Sequence, residues 1–256
     1  MNRLLTAVAL IPAVAYVVLW ANYWVFLAVL ILVALLCYHE YAGIAEGYGF
    51  GRLNVLGYGA GVVLLVWQAQ TWPLIAVIAL VALAAAMRAD NLSKTLPRAA
   101  LLVMGVIYVF GCWKAALDLR QNYSQHWLMY ALVLNWAGDS GAFYVGRTFG
   151  KHRLAPRVSP MKSWEGAAAS VVTSALVGGA YLLHFIPGTS LFTAIGLTIV
   201  ANMAGQLGDL AESAIKRGAS VKDSSGMLPG HGGFLDRVDS TLFALPVIYI
   251  WLKLMV

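Results

Sequence analysis

The segment KRGASVKDSSGMLPGHGGFLDRVDS, residues 216–240, concentrates acidic, basic and glycine residues in a chain that is only 11% charged. Lysine and arginine can bind phosphate oxygens, and aspartate supplies the hard oxygen ligands that Mg²⁺ prefers. Glycine lets backbone N–H groups approach a phosphate closely. The segment therefore predicts a site for a metal-bound polyphosphate, with a solvated connecting loop as the alternative. Its cations and carboxylates are Lys216, Arg217, Lys222, Asp223, Asp236, Arg237 and Asp239.

A stripe of polar residues leads into this segment from an apolar stretch. Its members recur at the spacing of one helix face: Asn202, Gln206, Asp209, Ser213 and Lys216. An earlier apolar stretch has a smaller counterpart: Asn135, Asp139 and Arg147. A charged side chain at the centre of a bilayer costs about 2.5–3.5 kcal/mol, so Asp139 and Asp209 need partners, water or an ion. We expect the two carboxylates to mark a functional site, and hydrogen bonding that only joins helices is the alternative.

The composition is that of a membrane protein. Hydrophobic residues make up 61% of the 256 residues, and the charged share is less than half of the about 25% found in soluble domains. A span needs about 20 mostly apolar residues, and nine stretches qualify: 4–21, 23–38, 53–69, 71–87, 99–117, 127–146, 164–184, 189–208 and 239–256. The first has a basic start but no convincing cleavage site, which favours a retained anchor over a signal peptide. The sequence predicts an all-α integral membrane protein of about nine transmembrane helices, with a polar active-site cavity that faces the cytoplasm.

The lysines and arginines determine the expected orientation. With nine spans and a cytoplasmic N-terminus, only Lys114, Arg120 and Lys253 of the 17 Lys and Arg residues fall outside the cytoplasmic segments. Because lysine and arginine are retained on the cytoplasmic side during insertion, this asymmetry supports both the span count and the orientation. We expect a multi-pass protein of the plasma (inner) membrane whose N-terminus and active site are cytoplasmic.

The net charge of +6 suits binding to anionic lipid headgroups or phosphates. Nucleic acid is not an expected partner, because no aromatic-basic module accompanies the charge. Cys37 and Cys112 have no metal-like spacing and are expected to be buried as small hydrophobes. Gly57 and Gly61 form a G-x-x-x-G pattern, which predicts either close packing within the bundle or a homodimer face.

Three motifs in the C-terminal half resemble those of a known enzyme family. They are SAIKRGASVKDSSGMLPGHGGFLDRVD at residues 213–239, NWAGDSGAFYVGR at 135–147 and SPMKSWEG at 159–166. The first resembles the signature of the phosphatidate cytidylyltransferases, also called CDP-diacylglycerol synthases, and its length makes it far more specific than a lone glycine triplet. The resemblance implies a nucleotidyltransferase of phospholipid biosynthesis that uses CTP, phosphatidate and Mg²⁺, and that releases CDP-diacylglycerol and diphosphate.

The resemblance covers the chain from about the sixth predicted span to the end. The N-terminal half is similar to the family only in being hydrophobic and multi-span. We therefore expect residues 1–125 to form an N-terminal multi-span region and residues 126–256 to form the catalytic region. Both would belong to one integrated membrane domain.

The implied reaction assigns roles to individual residues. A phosphate oxygen of phosphatidate attacks the α-phosphorus of CTP, and this nucleophile is already ionised, so catalysis should rest on positioning and charge neutralisation. The metal ligands of two Mg²⁺ ions would be Asp209, Asp236 and Asp239. The catalytic residues would be Asp209, Lys222, Asp223 and Asp236. The substrate-binding residues would be Asp139, Arg147, Lys151, Ser159, Lys162, Ser213, Lys216, Arg217, His231, Gly232, Gly233 and Arg237.

Two features near the motifs have alternative explanations. His231 could donate to a phosphate or protonate the leaving diphosphate, or its imidazole could order the loop. Ser163 and Glu165 begin the seventh predicted span, where helix capping and the helix dipole explain them without a function.

Two other functions are alternatives to cytidylyl transfer. A CTP-using polyisoprenol kinase would share the nucleotide chemistry but transfer the γ-phosphoryl group to an alcohol. A transporter of anionic solutes would use the polar stripes as a pathway, and we would then expect stripes that reach both faces or paired broken helices in two halves. The confinement of polarity to one side and one half of the chain favours the enzyme.

Overall fold

The computed structural model describes residues 2–50, 55–88, 91–228, 230 and 232–255, with side chains from residue 10 onwards. The helices are α1 (Asn2–Leu19), α2 (Tyr23–Gly47), α3 (Val55–Val66), α4 (Thr71–Ala86), α5 (Thr95–Gly105), α6 (Cys112–Asn122), α7 (Gln125–Phe149), α8 (Trp164–Phe185), α9 (Leu191–Gly218) and α10 (Leu235–Met255). A π-helical segment (Val106–Gly111) joins α5 to α6, and a 3₁₀ turn (Leu92–Lys94) precedes α5, so the helix is continuous over Leu92–Asn122.

Each of the nine predicted apolar stretches coincides largely with a helix, although the helices end before positions 20–21, 67–69 and 87 and begin after positions 189–190. Positions 53, 54 and 256 of these stretches lie outside the described residues. Within the described part of the chain, five helices are long and apolar enough to cross a membrane: Tyr23–Gly47, Leu92–Asn122, Trp164–Phe185, Leu191–Gly218 and Leu235–Met255. Three more are apolar but shorter: Leu10–Leu19, Val55–Val66 and Thr71–Ala86. The chain is therefore an all-α multi-pass membrane protein, and the count of nine spans stays a prediction.

A short hairpin interrupts the helices between α7 and α8, and the sequence did not predict it. Strands β1 (Arg153–Ala155) and β2 (Ser159–Ser163) pair antiparallel, with Arg153 opposite Ser163 and Ala155 opposite Ser159. Ser163 then caps α8, because its hydroxyl accepts a hydrogen bond from the Gly166 N–H at 3.2 Å. The capping explanation for Ser163 is confirmed.

Small residues let the helices approach closely. Gly57 and Gly61 of α3 lie against the rings of Tyr38 and Phe110, where a methyl group would clash. The G-x-x-x-G pattern therefore serves packing inside the bundle rather than an exposed dimer face. In the C-terminal half, a Cβ on Gly138 of α7 would lie 2.6 Å from polar side-chain atoms of α8 and α9.

Hydrogen bonds join the helix ends at two opposite sides of the bundle. At one side, the Tyr48 hydroxyl donates to the Ile215 carbonyl at 2.8 Å, and the Lys94 ammonium donates to the Gly49 carbonyl at 3.2 Å. At the other side, the Arg120 guanidinium donates to the Ala21 carbonyl at 2.5 Å. The ends of α2 and α9 that lead into charged loops therefore lie together.

Candidate active site

A cavity of about 880 Å³ lies among α7, α8, α9, α10 and the hairpin. Its wall combines carboxylates with cations, which is unusual for the interior of an apolar bundle. Nine of the predicted site residues line it: Asp139, Arg147, Lys162, Lys216, Asp209, Asp223, Asp236, Arg237 and Asp239. The structure therefore brings together residues from all three sequence motifs.

Lys162 and Asp209 form an ion pair across the cavity. Lys162 lies on β2 and Asp209 lies on α9, so the pair joins the hairpin to the polar stripe. Both side chains are partly exposed, at 27% and 33%. The Ser213 hydroxyl, one turn further along α9, lies 3.5 Å from the other oxygen of Asp209. Asp209 thus lines the cavity beside a partly exposed cation rather than a buried one.

Asp236 is held much more firmly. Its carboxylate pairs with Lys216 and accepts hydrogen bonds from the N–H groups of Ser224 at 2.9 Å and Gly233 at 2.8 Å. The side chains of Lys216 and Asp236 are only 9% and 6% exposed. Lys216 also binds Glu212 at 2.6 Å, so one ammonium lies between two carboxylates. Asp236 therefore acts first as an internal anchor for the loop between α9 and α10.

Two buried carboxylates near the site, Glu212 and Glu40, were not predicted from the sequence. Glu212 lies beside the polar stripe of α9 and is 1% exposed, and its Oε1 has no hydrogen-bond partner among the described residues. Glu40 of α2 is also 1% exposed, and it accepts hydrogen bonds from the loop before α10 and from the start of α10 itself. An extension of the second predicted span from residue 38 to residue 47 would have flagged Glu40 as an ionisable residue inside a membrane helix.

The glycines of the signature leave room for these carboxylates. Gly232 has a positive φ of 76°, and a Cβ there would lie 2.6 Å from Asp236 Oδ2. A Cβ on Gly233 would lie 2.5 Å from both carboxylate oxygens of Glu40. Any side chain at either position would displace a carboxylate. The close contacts with Asp236 and Glu40 therefore explain why glycine is needed at both positions, without any role in phosphate binding. Contact of Gly232 and Gly233 with substrate stays a prediction.

The upper part of the polar stripe joins helices. The Asn202 amide donates to the hydroxyls of Ser170 at 3.0 Å and Ser174 at 2.8 Å. The Gln206 amide donates to Asn202 Oδ1 at 2.7 Å and to the Ala167 carbonyl at 3.2 Å. These hydrogen bonds join α8 to α9. Gln206 and Asp209 of the stripe both line the cavity.

The donor set is suitable for Mg²⁺ at one part of the wall. Asp139, Asp209 and Asp239 all line the cavity and interact electrostatically with one another. Carboxylate oxygens are what Mg²⁺ requires. No group of three or more His, Cys, Asp or Glu residues within the described ranges already has metal-binding geometry. Asp236 fits less well, because its oxygens accept hydrogen bonds from Lys216 and from loop N–H groups.

The remaining predicted residues do not line the cavity. The Arg217 guanidinium donates to the Val221 carbonyl at 3.3 Å, and Lys222 is exposed on the following loop. His231 lies outside the described residues. Roles for these residues in substrate binding or catalysis stay predictions. The predicted residues outside the cavity wall are Lys151, Ser159, Ser213, Arg217, Lys222, Gly232 and Gly233.

Comparison with known proteins gives a consistent result. The model of a family described as the cytidylyltransferase family matches residues 1–255. A Bacillus subtilis protein is 39% identical over 156 residues, and a Staphylococcus saprophyticus protein is 40% identical over 154 residues. A Haemophilus influenzae protein is 49% identical over 124 residues. All three are named phosphatidate cytidylyltransferase.

The matched stretches cover part of each protein. They include 60%, 60% and 46% of this chain for the Bacillus, Staphylococcus and Haemophilus proteins, respectively. They span 58%, 59% and 43% of those relatives. The chain therefore spans less than two thirds of the length of the curated relatives it matches.

Proposed function

The chain belongs to the cytidylyltransferase family, and from this premise we propose that it is a phosphatidate cytidylyltransferase. It would convert CTP and phosphatidate to CDP-diacylglycerol and diphosphate. The observation that carries the proposal is the cavity in which Lys162, Arg147 and Arg237 lie with Asp139, Asp209 and Asp239. Cations and carboxylates on one wall are suited to a polyphosphate and the metal ion that accompanies it.

The chemistry asks the protein mainly to position charged groups. The attacking phosphate oxygen of phosphatidate is ionised, so no strong base is needed. The protein must bring two anions together, and this requires cations that compensate their repulsion. Lys162 is well suited because its ammonium is partly exposed and can leave Asp209 for a phosphate oxygen. Arg147 and Arg237 can each donate two hydrogen bonds to one phosphate group.

Mg²⁺ is part of the proposal, with Asp209 and Asp239 as ligands and Asp139 as a further oxygen donor. When bound, Mg²⁺ would neutralise charge on the phosphates of CTP. Asp236 stays a candidate ligand only if Lys216 exchanges it for a phosphate. Two ions per site remain part of the proposal, since several carboxylates line one wall.

The cavity wall also has an apolar part that suits the lipid substrate. Phe143 of α7 and Met161 of β2 line the cavity and are 57% and 82% exposed. Arg147 lies one turn from Phe143 on the same helix. A phosphatidate molecule could therefore place its headgroup beside Arg147 while its acyl chains lie against the apolar side chains and the surrounding bilayer.

The proposal includes the finer topology. Nine spans, a cytoplasmic N-terminus and a cavity that faces the cytoplasm of the inner membrane would place the site where CTP is available. The contacts between Tyr48 and Ile215 and between Lys94 and Gly49 support a common side for these loops. A homodimer gains no support from Gly57 and Gly61, because both pack within the bundle.

One assay tests the activity. Purified protein in nanodiscs is supplied with phosphatidate, a polyisoprenol, Mg²⁺ and CTP labelled at either the α- or the γ-phosphorus. Cytidylyl transfer puts the α-label in the lipid and releases the γ-label as diphosphate. A γ-label in the lipid with CDP as the other product would instead indicate a lipid kinase, and no label transfer together with anion flux into vesicles would indicate a transporter.

A further inference from the structure

Glu40 makes an unusual set of contacts for a carboxylate in an apolar helix. Its Oε1 accepts hydrogen bonds from the Ser225 hydroxyl at 2.5 Å and from the Phe234 N–H at 2.9 Å. Its Oε2 accepts from the Ser224 hydroxyl at 2.9 Å and from the Leu235 N–H at 2.7 Å. All of these donors belong to the loop before α10 or to the start of α10.

These contacts explain how a buried carboxylate can be tolerated. Glu40 is 1% exposed, so its charge would be unfavourable without donors. The N–H groups of Phe234 and Leu235 lie at the start of α10, where helix N–H groups lack partners within the helix. The helix dipole also favours a negative charge there. Glu40 is therefore a capping group for α10 that comes from a distant helix.

The loop between α9 and α10 is held by two carboxylates. Asp236 accepts hydrogen bonds from the backbone N–H groups of Ser224 and Gly233. Glu40 accepts hydrogen bonds from the residue that follows each of these, namely the Ser225 hydroxyl and the Phe234 N–H. The Ser224 hydroxyl lies 2.9 Å from one oxygen of each carboxylate. Since a hydroxyl has one proton, it can donate to only one of them at a time. Glu40 and Asp236 are thus coupled through Ser224.

The start of α10 carries the residues that reach the cavity. Asp236, Arg237 and Asp239 all line it, and they directly follow the two N–H groups that Glu40 binds. A small displacement of the first turn of α10 would move all three side chains. The position of that turn therefore determines the geometry of the site.

We propose that Glu40 is a positioning residue for catalysis. It fixes the first turn of α10 and the loop between α9 and α10, here called the signature loop (residues 219–234). Its role in turnover rests on the proposed function, whereas its role in ordering the loop does not. Loss of the charge would leave the N–H groups of Phe234 and Leu235 and the two serine hydroxyls without a full set of acceptors. The loop would become mobile while the apolar bundle stays folded.

The test uses a spin label at Gly226→Cys, because a Cβ at Gly226 meets no atom within 4 Å. The full-length protein in nanodiscs is compared with its Glu40→Gln variant, which keeps the shape but has one acceptor oxygen instead of two. The matched control is Glu46→Gln, since Glu46 is an exposed carboxylate on the same helix. Protein without Gly226→Cys gives the label background from Cys37 and Cys112.

We expect a more mobile label in Glu40→Gln, a kcat lowered by about tenfold or more, and a melting temperature that stays above the assay temperature. Glu46→Gln should match the parent protein in label mobility and kcat, because an exposed carboxylate contributes little to stability even where it has a partner. An unchanged label spectrum in a folded Glu40→Gln variant would overturn the proposal. A mobile label in protein whose parent shows no cytidylyl transfer would support the loop role and contradict the proposed function.

A second measurement needs no substitution. Hydrogen exchange of the unmodified protein should show slow exchange for the Phe234 and Leu235 amides, because both are donated to a buried acceptor. Exchange at the rate of an unstructured loop would overturn the proposal even if Glu40→Gln fails to fold.

Discussion

Lys162 pairs with Asp209, and this contact ties the β1–β2 hairpin to the membrane helix α9. In the proposed function, substrate binding would exchange this pair for contacts of Lys162 with phosphate and of Asp209 with Mg²⁺. The second lysine of the site, Lys216, is buried between Glu212 and Asp236. One lysine of the site is therefore partly exposed with a single carboxylate partner, whereas the other is buried between two carboxylates.

The partly exposed pair should matter for turnover rather than for stability. Lys162→Met should change the free energy of unfolding by only about 0–1 kcal/mol, because exposed ion pairs contribute little. It should lower kcat/KM by about 10–100-fold, since one charge-assisted contact to phosphate is lost. Arg157→Met, an exposed change in the same hairpin turn, is the control. Equal kinetics in the two variants would remove Lys162 from the site.

Asp236 and Asp209 should respond differently to the same chemical change. Asp236→Asn removes a buried partner of Lys216 and should destabilise the protein by about 3–5 kcal/mol as well as inactivate it. Asp209→Asn should leave thermal stability nearly unchanged and still abolish turnover. Melting temperature and turnover are measured on the same preparations. Equal melting temperatures for the two variants would show that the buried Asp236–Lys216 pair does not contribute more to stability than the partly exposed Asp209–Lys162 pair.

Metal dependence can be assigned to individual carboxylates. Chelation by EDTA should stop product formation, and added Mg²⁺ should restore it. Asp139→Asn and Asp239→Asn should raise the Mg²⁺ concentration that gives half-maximal turnover, because each removes an oxygen ligand or its neighbouring charge. If Asp239→Asn has a lower maximal turnover but needs the same Mg²⁺ concentration for half-maximal turnover, Asp239 is excluded as a ligand.

The close approach of α9 to α10 next to the site offers a packing test. A Cβ on Gly208 would lie 2.6 Å from the Asp239 carbonyl and 2.9 Å from Phe243 Cβ. Gly208→Ala should therefore separate the helices, destabilise the protein by about 1–3 kcal/mol and reduce turnover. Gly196→Ala on the same helix has open space around it and should be neutral or slightly stabilising. Similar melting temperatures for the two alanine variants would contradict the observed helix spacing.

The orientation is tested by labelling single cysteines from outside intact cells. A cysteine at Gly226 should be protected and a cysteine at Pro187, in the exposed turn between α8 and α9, should react. The reason is the asymmetry of lysine and arginine between the two sides. Reaction at 226 with protection at 187 would reverse the proposed topology.

The sequence was most informative where a local period or a contiguous motif was present. Helix α9 contains the predicted polar stripe of Asn202, Gln206, Asp209 and Lys216, and the predicted apolar stretches correspond to helices. The strands at Arg153–Ala155 and Ser159–Ser163 are too short to show a period. A longer second span would have flagged Glu40 as an ionisable residue in a membrane helix, but no sequence pattern identifies its partners, because they lie far along the chain. Only the folded chain shows that the N-terminal half completes the signature loop.

The distance in sequence between Glu40 and its partners has a consequence for biosynthesis. The Leu235 N–H that binds Glu40 is 195 residues away. At about 5–20 residues per second, the ribosome needs roughly 10–40 s to add that length of chain after Glu40. During this interval α2 would carry a carboxylate into the membrane without its final donors. The newly made helices therefore stay an incomplete assembly until the last helix arrives, and a chain truncated before α10 should be a substrate for membrane quality-control proteases.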